Sequence, residues 1–325
     1  MPANQSVFAP PRHVNAPRRV LLANPRGFCA GVERAINTVE ATLAQHGAPV
    51  FVRRAIVHNA EVVARLERRG AVFVQEITEI PPGSVTILSA HGSAKSVQAD
   101  ARRRQLRVVD AVCPLVAKVH AEVIAAHRAG RHILLIGHPG HPEIVGTLGQ
   151  LPAGAATVIT RPDALELPEL ARETPVAYAV QTTFAASDAN RLIAAINARF
   201  TDVRGPRSSD ICYATTNRQR AIEAIARHSD LVLVVGDLMS SNAQRLVEVG
   251  AAAGSCPAVL VAQVADLPLD LVDRAQTIGL TAAASAPESA VLRVCHALAD
   301  RGFVLIESEG LREAVRFKPV ELANL

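Results

Sequence analysis

One plan occurs three times in this 325-residue chain: an approach segment, then a cysteine, then a helical pattern. The copies are "NPRGFCAGVERA" with Cys29, "VVDAVCPLVAKVH" with Cys113 and "SSDICYATTNRQRAI" with Cys212, spaced 84 and 99 residues apart. Such spacing predicts three repeats of an α/β unit, with the cysteine at the same address in each. Polar loops recur at matching offsets. "IVHNAE" with His58, "GHPGHPE" with His141 and "GDLMSSNA" with Ser240 follow their cysteines by 28 or 29 residues. A second set follows by 62 to 73 residues: "SAHGS" with His91, "QTTF" with Thr182 and "AAASAP" with Ser285. If the units pack around a pseudo-threefold axis with these loops inward, all nine addresses converge on one central cavity beyond the carboxyl ends of the strands.

The rest of the chain is compatible with that plan. Short β-rich runs such as "VTILSA", "HILLIG" and "LVLVVG" alternate with helical patterns. One helix is expected at 114–129, with Pro114 in the first turn and Leu115, Val119 and Val123 on one face. Apolar strands alternating with helices predict an α/β protein with mostly parallel sheets. The expected segments are an N-terminal extension at 1–17 and α/β domains at 18–112, 113–208 and 209–302. A tail at 303–325 is expected to return to the first domain, its "VRFKPVEL" forming a closing strand.

Composition removes several function classes. Neither G-x-G-x-x-G nor G-x-x-x-x-G-K-[ST] occurs, so a standard dinucleotide or ATP site has no support. The net charge of +4 suits an anionic small ligand, whereas no Trp, two Tyr and eight Phe offer few stacking platforms for nucleic acid. No apolar run approaches the roughly 20 residues that span a bilayer. The first 17 residues lack the apolar stretch of a signal peptide and read as disordered, so a cytoplasmic protein is expected. Five cysteines in that reducing compartment point to metal or catalytic roles more than to disulfides.

Each motif cysteine is expected at a helix N-terminus, where the dipole favours a thiolate. Three thiolates make a soft site for zinc or iron–sulfur, and three rather than four leave a metal position open. His58, His91, His141, Thr182, Ser240, Ser241, Asn242 and Ser285 would suit a phosphate or diphosphate. Glu143 shares a loop with His141 and is placed to move protons. Spacing alone reaches a three-domain α/β protein with a three-thiolate metal site and an anionic ligand; a zinc-dependent hydrolase or lyase and a non-catalytic cluster sensor could both use these residues. Plainer readings hold elsewhere. Cys256 and Cys295 read as core residues; His46, His127, His132 and His228 read as surface or structural residues. His138 reads as loop-shaping between prolines, and "TTNRQ" after Cys212 fits helix capping as well as function.

The stretches "LLANPRGFCAGVERAI", "VHN", "SAHG", "DAVCPLVAKVH", "GHPGHPE", "QTT", "GPRSSDICYATTNRQ", "SSN" and "ASAP" together resemble the 4-hydroxy-3-methylbut-2-enyl diphosphate reductases, the last enzymes of the methylerythritol phosphate route to isoprenoids. The match runs in order from about residue 19 to at least 300. The resemblance implies a trefoil of three α/β domains. It also implies one 4Fe–4S cluster per chain on Cys29, Cys113 and Cys212, with the fourth iron free of protein. By the same resemblance the diphosphate lies among His58, His91, His141, Ser240, Ser241, Asn242 and Ser285, and Glu143 delivers protons with help from Thr182. Two electrons, arriving singly from a ferredoxin or flavodoxin, and two protons remove the hydroxyl as water. The chain departs from the family pattern at Ala283, where a glycine is common, and at Asp237, Leu238 and Met239 ahead of "SSN".

Overall fold

The computed structural model describes residues 17–160 and 169–322; the extension expected at 1–17 lies, apart from Pro17, outside them. Strand β1 (Arg19–Leu22) precedes Cys29, and α1 (Ala30–His46) follows it. Next come β2 (Val50–Arg53), α2 (Ala60–Arg68), β3 (Ala71–Val74), β4 (Val85–Leu88), α3 (Lys95–Arg103) and β5 (Arg107–Asp110), which leads to Cys113. Cys113 opens α4 (Pro114–Arg128), followed by β6 (His132–Ile136), α5 (Pro142–Leu148), β7 (Ala156–Ile159), β8 (Val176–Val180), α6 (Ala186–Arg199) and β9 (Val203–Arg204). Cys212 opens α7 (Tyr213–Ala226), followed by β10 (Leu231–Val235), α8 (Ser241–Gly254), β11 (Ala258–Val261), α9 (Leu269–Arg274), β12 (Thr277–Ala282), α10 (Glu288–Ala299) and β13 (Val304–Glu307).

These strands form three parallel sheets: β3-β2-β4-β5, β7-β6-β8-β9 and β11-β10-β12-β1-β13. The α/β class is therefore as expected, and the central strands explain it. β4, β10 and β12 are buried along their whole length, because apolar runs without alternation can only sit between two covering layers. In the second sheet, Val119 and Val123 of α4 pack on Ile133 and Leu135 of β6 as their spacing predicts, whereas Leu115, expected on the same face, is only partly buried and lies outside that core.

The segmentation differs in two places. β1, expected in the first domain, pairs with β12 and β13 of the third sheet. The reason is the threefold plan itself: β5 and β9, the approach strands to Cys113 and Cys212, are the fourth strands of the sheets before them. The approach strand to Cys29, β1, takes the matching place beside β12 in the third sheet and closes the ring. The closing strand is also not "VRFKPVEL" but β13 at 304–307, an exposed edge beside β1. Beyond it the tail does reach the first unit without forming a strand. Arg34 Nε donates to the Lys318 carbonyl at 2.8 Å, and Val320 and Leu322 pack on the core that includes Ala35 and Ala111.

Candidate active site

Each sheet has two central strands from which the chain departs toward opposite edges: β2 and β4, β6 and β8, β10 and β12. A crevice opens beyond the carboxyl ends of such pairs. His58 follows β2, His91 follows β4, and His141 with Glu143 follows β6. Thr182 follows β8, the Ser240–Asn242 turn follows β10, and Ser285 follows β12. These side chains and Cys29, Cys113 and Cys212 line a single cavity, so all twelve residues singled out from the sequence are brought together.

At the sulfur end the three cysteines are N-cap residues of α1, α4 and α7. Their backbone N–H groups repeat one contact. Cys29 donates to the Ala284 carbonyl at 3.3 Å, Cys113 to Ala90 at 3.0 Å and Cys212 to Thr182 at 3.0 Å. Each cysteine is thus hung from the loop after the third strand of the preceding unit, beside Ser285 and His91 in two cases and on Thr182 itself in the third. Glycine permits the close packing. Gly27 turns the chain ahead of Cys29 at φ +68°, and a Cβ on Gly31 would lie 3.0 Å from Cys113 Sγ and 3.7 Å from Cys29 Sγ. One expectation is overturned: burial outweighs the helix dipole. It pushes the Cys113 thiol up to about 11 and Cys212 up to about 12, so both are protonated at neutral pH in the free protein.

At the polar end the His58 and His91 rings lie 4.6 Å apart, with His141 about 6 Å from each. Burial lowers all three below the usual histidine range, His141 to about 4, and their mutual repulsion adds to the effect on His91 and His141. They are neutral at neutral pH. His141 caps α5, its Nδ1 accepting the Glu143 N–H at 3.2 Å, which puts the ring proton on Nε2. Ser240 caps α8 by accepting the Ala243 N–H at 3.3 Å and takes a 3.2 Å hydrogen bond from Ser285 Oγ. Asn242 Oδ1 accepts from Ala284 N at 2.9 Å. Buried His58 Nε2, His91 Nδ1 and Asn242 Nδ2 have no partner, a costly arrangement unless a polar ligand supplies one.

Glu143 sits in the same cavity and is 2% exposed. Thr182 donates to it twice, from N to Oε1 at 2.7 Å and from Oγ1 to Oε2 at 2.8 Å. Burial raises the carboxyl to about 7 against the opposing effect of those hydrogen bonds. It can therefore hold a proton at neutral pH and release it at small cost.

The departures are accommodated away from the cavity. Buried Ala283 directs its methyl toward Gly236, whose added Cβ would lie 3.1 Å away. Leu238 and Met239 are 69% and 74% exposed, outside the cavity lining. Asp237 Oδ2 accepts the Ala60 N–H of α2 at 3.1 Å. Cys295 is buried in the core as read, Cys256 is only partly buried, and the His138 ring lies 5.1 Å from that of Phe184 at a tilt. Among the other lining residues, Thr183, Tyr213 and Phe317 were not singled out from the sequence, and Thr215, within "TTNRQ", was left between capping and function. Thr215 stands 3.1 Å from Cys212 Sγ through Oγ1, which its place three residues into the helix signals. Phe317 arrives from the tail and has no local signal.

The LytB protein family model matches residues 20–299. The chain belongs to the LytB family. The 4-hydroxy-3-methylbut-2-enyl diphosphate reductase of Gluconobacter oxydans is 48% identical over 322 residues, covering 96% of this chain and 95% of that one. The reductase of that name from Burkholderia pseudomallei is 49% identical over 310 residues, covering 94% and 98%. Among solved structures, the E-1-hydroxy-2-methyl-but-2-enyl-4-diphosphate reductase of Plasmodium falciparum matches with a TM-score of 0.87 at 34% identity, covering 94% of this chain and 96% of that one. This LytB chain has no helix, among the described residues, that is long and apolar enough to cross a membrane. Nor do three or more of their His, Cys, Asp or Glu side chains draw together tightly enough to hold a metal ion.

Proposed function

We propose that this LytB protein reduces (E)-4-hydroxy-3-methylbut-2-enyl diphosphate to isopentenyl and dimethylallyl diphosphate. The carbon–oxygen bond to the hydroxyl breaks; one proton joins the departing hydroxyl to give water, the other forms the new carbon–hydrogen bond, and two electrons from the external carrier balance the change. The observation that carries the reading is the shared cavity: three thiols at one end, unpartnered polar nitrogens at the other, and a protonatable carboxyl in its wall. The substrate follows from the names of the relatives.

The donor set fits an iron–sulfur group. Cys29, Cys113 and Cys212 would hold one 4Fe–4S cluster per chain, three soft ligands for four irons. When bound, the cluster supplies the electrons and an open iron for the substrate hydroxyl. The protein's own residues do the rest. His58, His91 and His141, neutral before the ligand arrives, bind the diphosphate by hydrogen bonds together with Ser240, Ser241, Asn242 and Ser285. Glu143 gives its proton toward the departing oxygen, and Thr182 fixes the carboxyl so that it points there. Ferredoxin or flavodoxin would deliver electrons singly, in the cytoplasm.

The test is anaerobic turnover of reconstituted protein with the hydroxylated diphosphate and a reduced viologen dye. Substrate-dependent dye oxidation with release of both products supports the reading. A cluster-loaded protein that oxidises no dye overturns it.

A further inference from the structure

Each cysteine helix carries a basic side chain five or six residues after its cysteine: Arg34 on α1, Lys118 on α4 and Arg218 on α7. None of the three reaches back to its own cysteine loop. Arg34 Nη1 donates to the carbonyl of Val112 at 3.0 Å and of Ala111 at 3.4 Å, immediately ahead of Cys113. Lys118 Nζ donates to the Ser208 carbonyl at 2.7 Å, to Ser209 at 3.3 Å and to Asp210 Oδ1 at 3.0 Å, ahead of Cys212. Arg218 donates to the Gly27 carbonyl from Nε at 3.0 Å and Nη2 at 2.7 Å, and to Phe28 at 3.2 Å, ahead of Cys29. The links run from the first cysteine helix to the second loop, the second helix to the third loop, and the third helix back to the first. The ring closes.

We propose that Arg34, Lys118 and Arg218 are positioning residues that form a cyclic clamp, each fixing the cysteine of the next unit for the metal group. This rests on the cysteines being cluster ligands, as proposed above. A charged donor on one or two carbonyls fixes a loop more firmly than a neutral one. The partners on each cation suit the task. Arg218 is 1% exposed, and Glu313 from the tail balances its charge through Nη1 at 3.1 and 3.2 Å. The tail also takes Arg34 Nε on the Lys318 carbonyl, so it secures two of the three clamps. Lys118 is balanced by Asp210, whose Oδ2 accepts the Val180 N–H of β8 at 3.0 Å.

The clamp makes a prediction that a merely structural role does not: damage appears at the next cysteine, not at the one on the same helix. Reconstituted protein would be held anaerobically with excess iron chelator and iodoacetamide, and the alkylated cysteines mapped over time. Arg34→Met should raise alkylation of Cys113, Lys118→Met that of Cys212 and Glu313→Gln that of Cys29. Each increase should be about tenfold, the loss expected when a charge-assisted hydrogen bond is removed or loosened. Lys118→Arg should restore the wild-type pattern. Glu313→Gln tests the third link while leaving buried Arg218 in place. Preferential alkylation of the cysteine on the same helix, or an equal rise at all three, would overturn the clamp. If the wild type takes up no cluster, the cofactor reading fails, and the alkylation map of the same variants still decides the clamp.

Discussion

The two ends of the cavity are built alike and charged oppositely in prospect. At the sulfur end, burial keeps Cys113 and Cys212 as thiols, so loading metal there must release protons. At the polar end, burial keeps His58, His91 and His141 neutral, so binding an anion there draws protons in. Without ligands, neither end carries the charge it will use. The backbone treats them differently as well. Cysteine N–H groups are all hydrogen-bonded to neighbouring loops, whereas polar side-chain nitrogens facing the cavity wait for a partner. One end is fixed in place for a resident group, and the other is left open for a visitor.

The comparison breaks first, and most severely, at the sulfur end. Cys29→Ser, Cys113→Ser or Cys212→Ser should each abolish stable cluster binding, with turnover falling below detection; cluster absorbance and turnover of the three variants check this. Glu143→Gln comes next. It keeps the hydrogen bond to the Thr182 N–H but cannot give a proton, so kcat should fall by about 10²–10⁴-fold with cluster content unchanged. In the wild type the protonated carboxyl is the active form. Activity should therefore decline as pH rises through about 7, and residual activity of the variant should lack that limb.

His58→Asn should raise KM by about ten- to a hundredfold while the cluster remains, the effect of losing a hydrogen bond to a charged ligand. The opposite proton movements sharpen the comparison further. Cluster assembly should become more favourable as pH rises toward the thiol range, because thiolates are the ligands. Substrate affinity should strengthen as pH falls, because an anion favours protonated histidine. Binding titrations at several pH values would separate the two signs. Asp237→Asn should have the smallest effect, about threefold or less on KM, because the carboxylate touches the first turn of α2 and not the cavity. It should lower the His58 pKa further by removing a negative neighbour, which a histidine titration by NMR would read.

The convergence of nine loop addresses was legible because it rests on a repeat, and a repeat shows in one dimension what symmetry does in three. Central strands were legible because burial on both faces leaves unbroken apolar runs. β13 was not picked out, although Val304, Leu305 and Ile306 make a β-prone run; the closing strand was placed on "VRFKPVEL" instead, and all four residues of β13 are exposed. Nor could local pattern tell that Arg19 of β1 lies opposite Thr277 of β12, although the approach strands before the other two cysteines carried the rule. The thiol state was misjudged because a helix N-terminus is visible in sequence and burial is not. The "TTNRQ" turn was read as capping or function. Its Thr215 N–H caps onto Cys212 Sγ, and Arg218 reaches the carbonyl of Gly27 in another unit.

The most direct measurement is iron and acid-labile sulfide per chain, determined side by side for the wild type, Cys113→Ser and His141→Asn after identical reconstitution. A cavity with separate metal and substrate ends predicts a fully loaded wild type, an emptied cysteine variant and a histidine variant loaded like the wild type. Iron retained in Cys113→Ser, or lost from His141→Asn, would contradict that division.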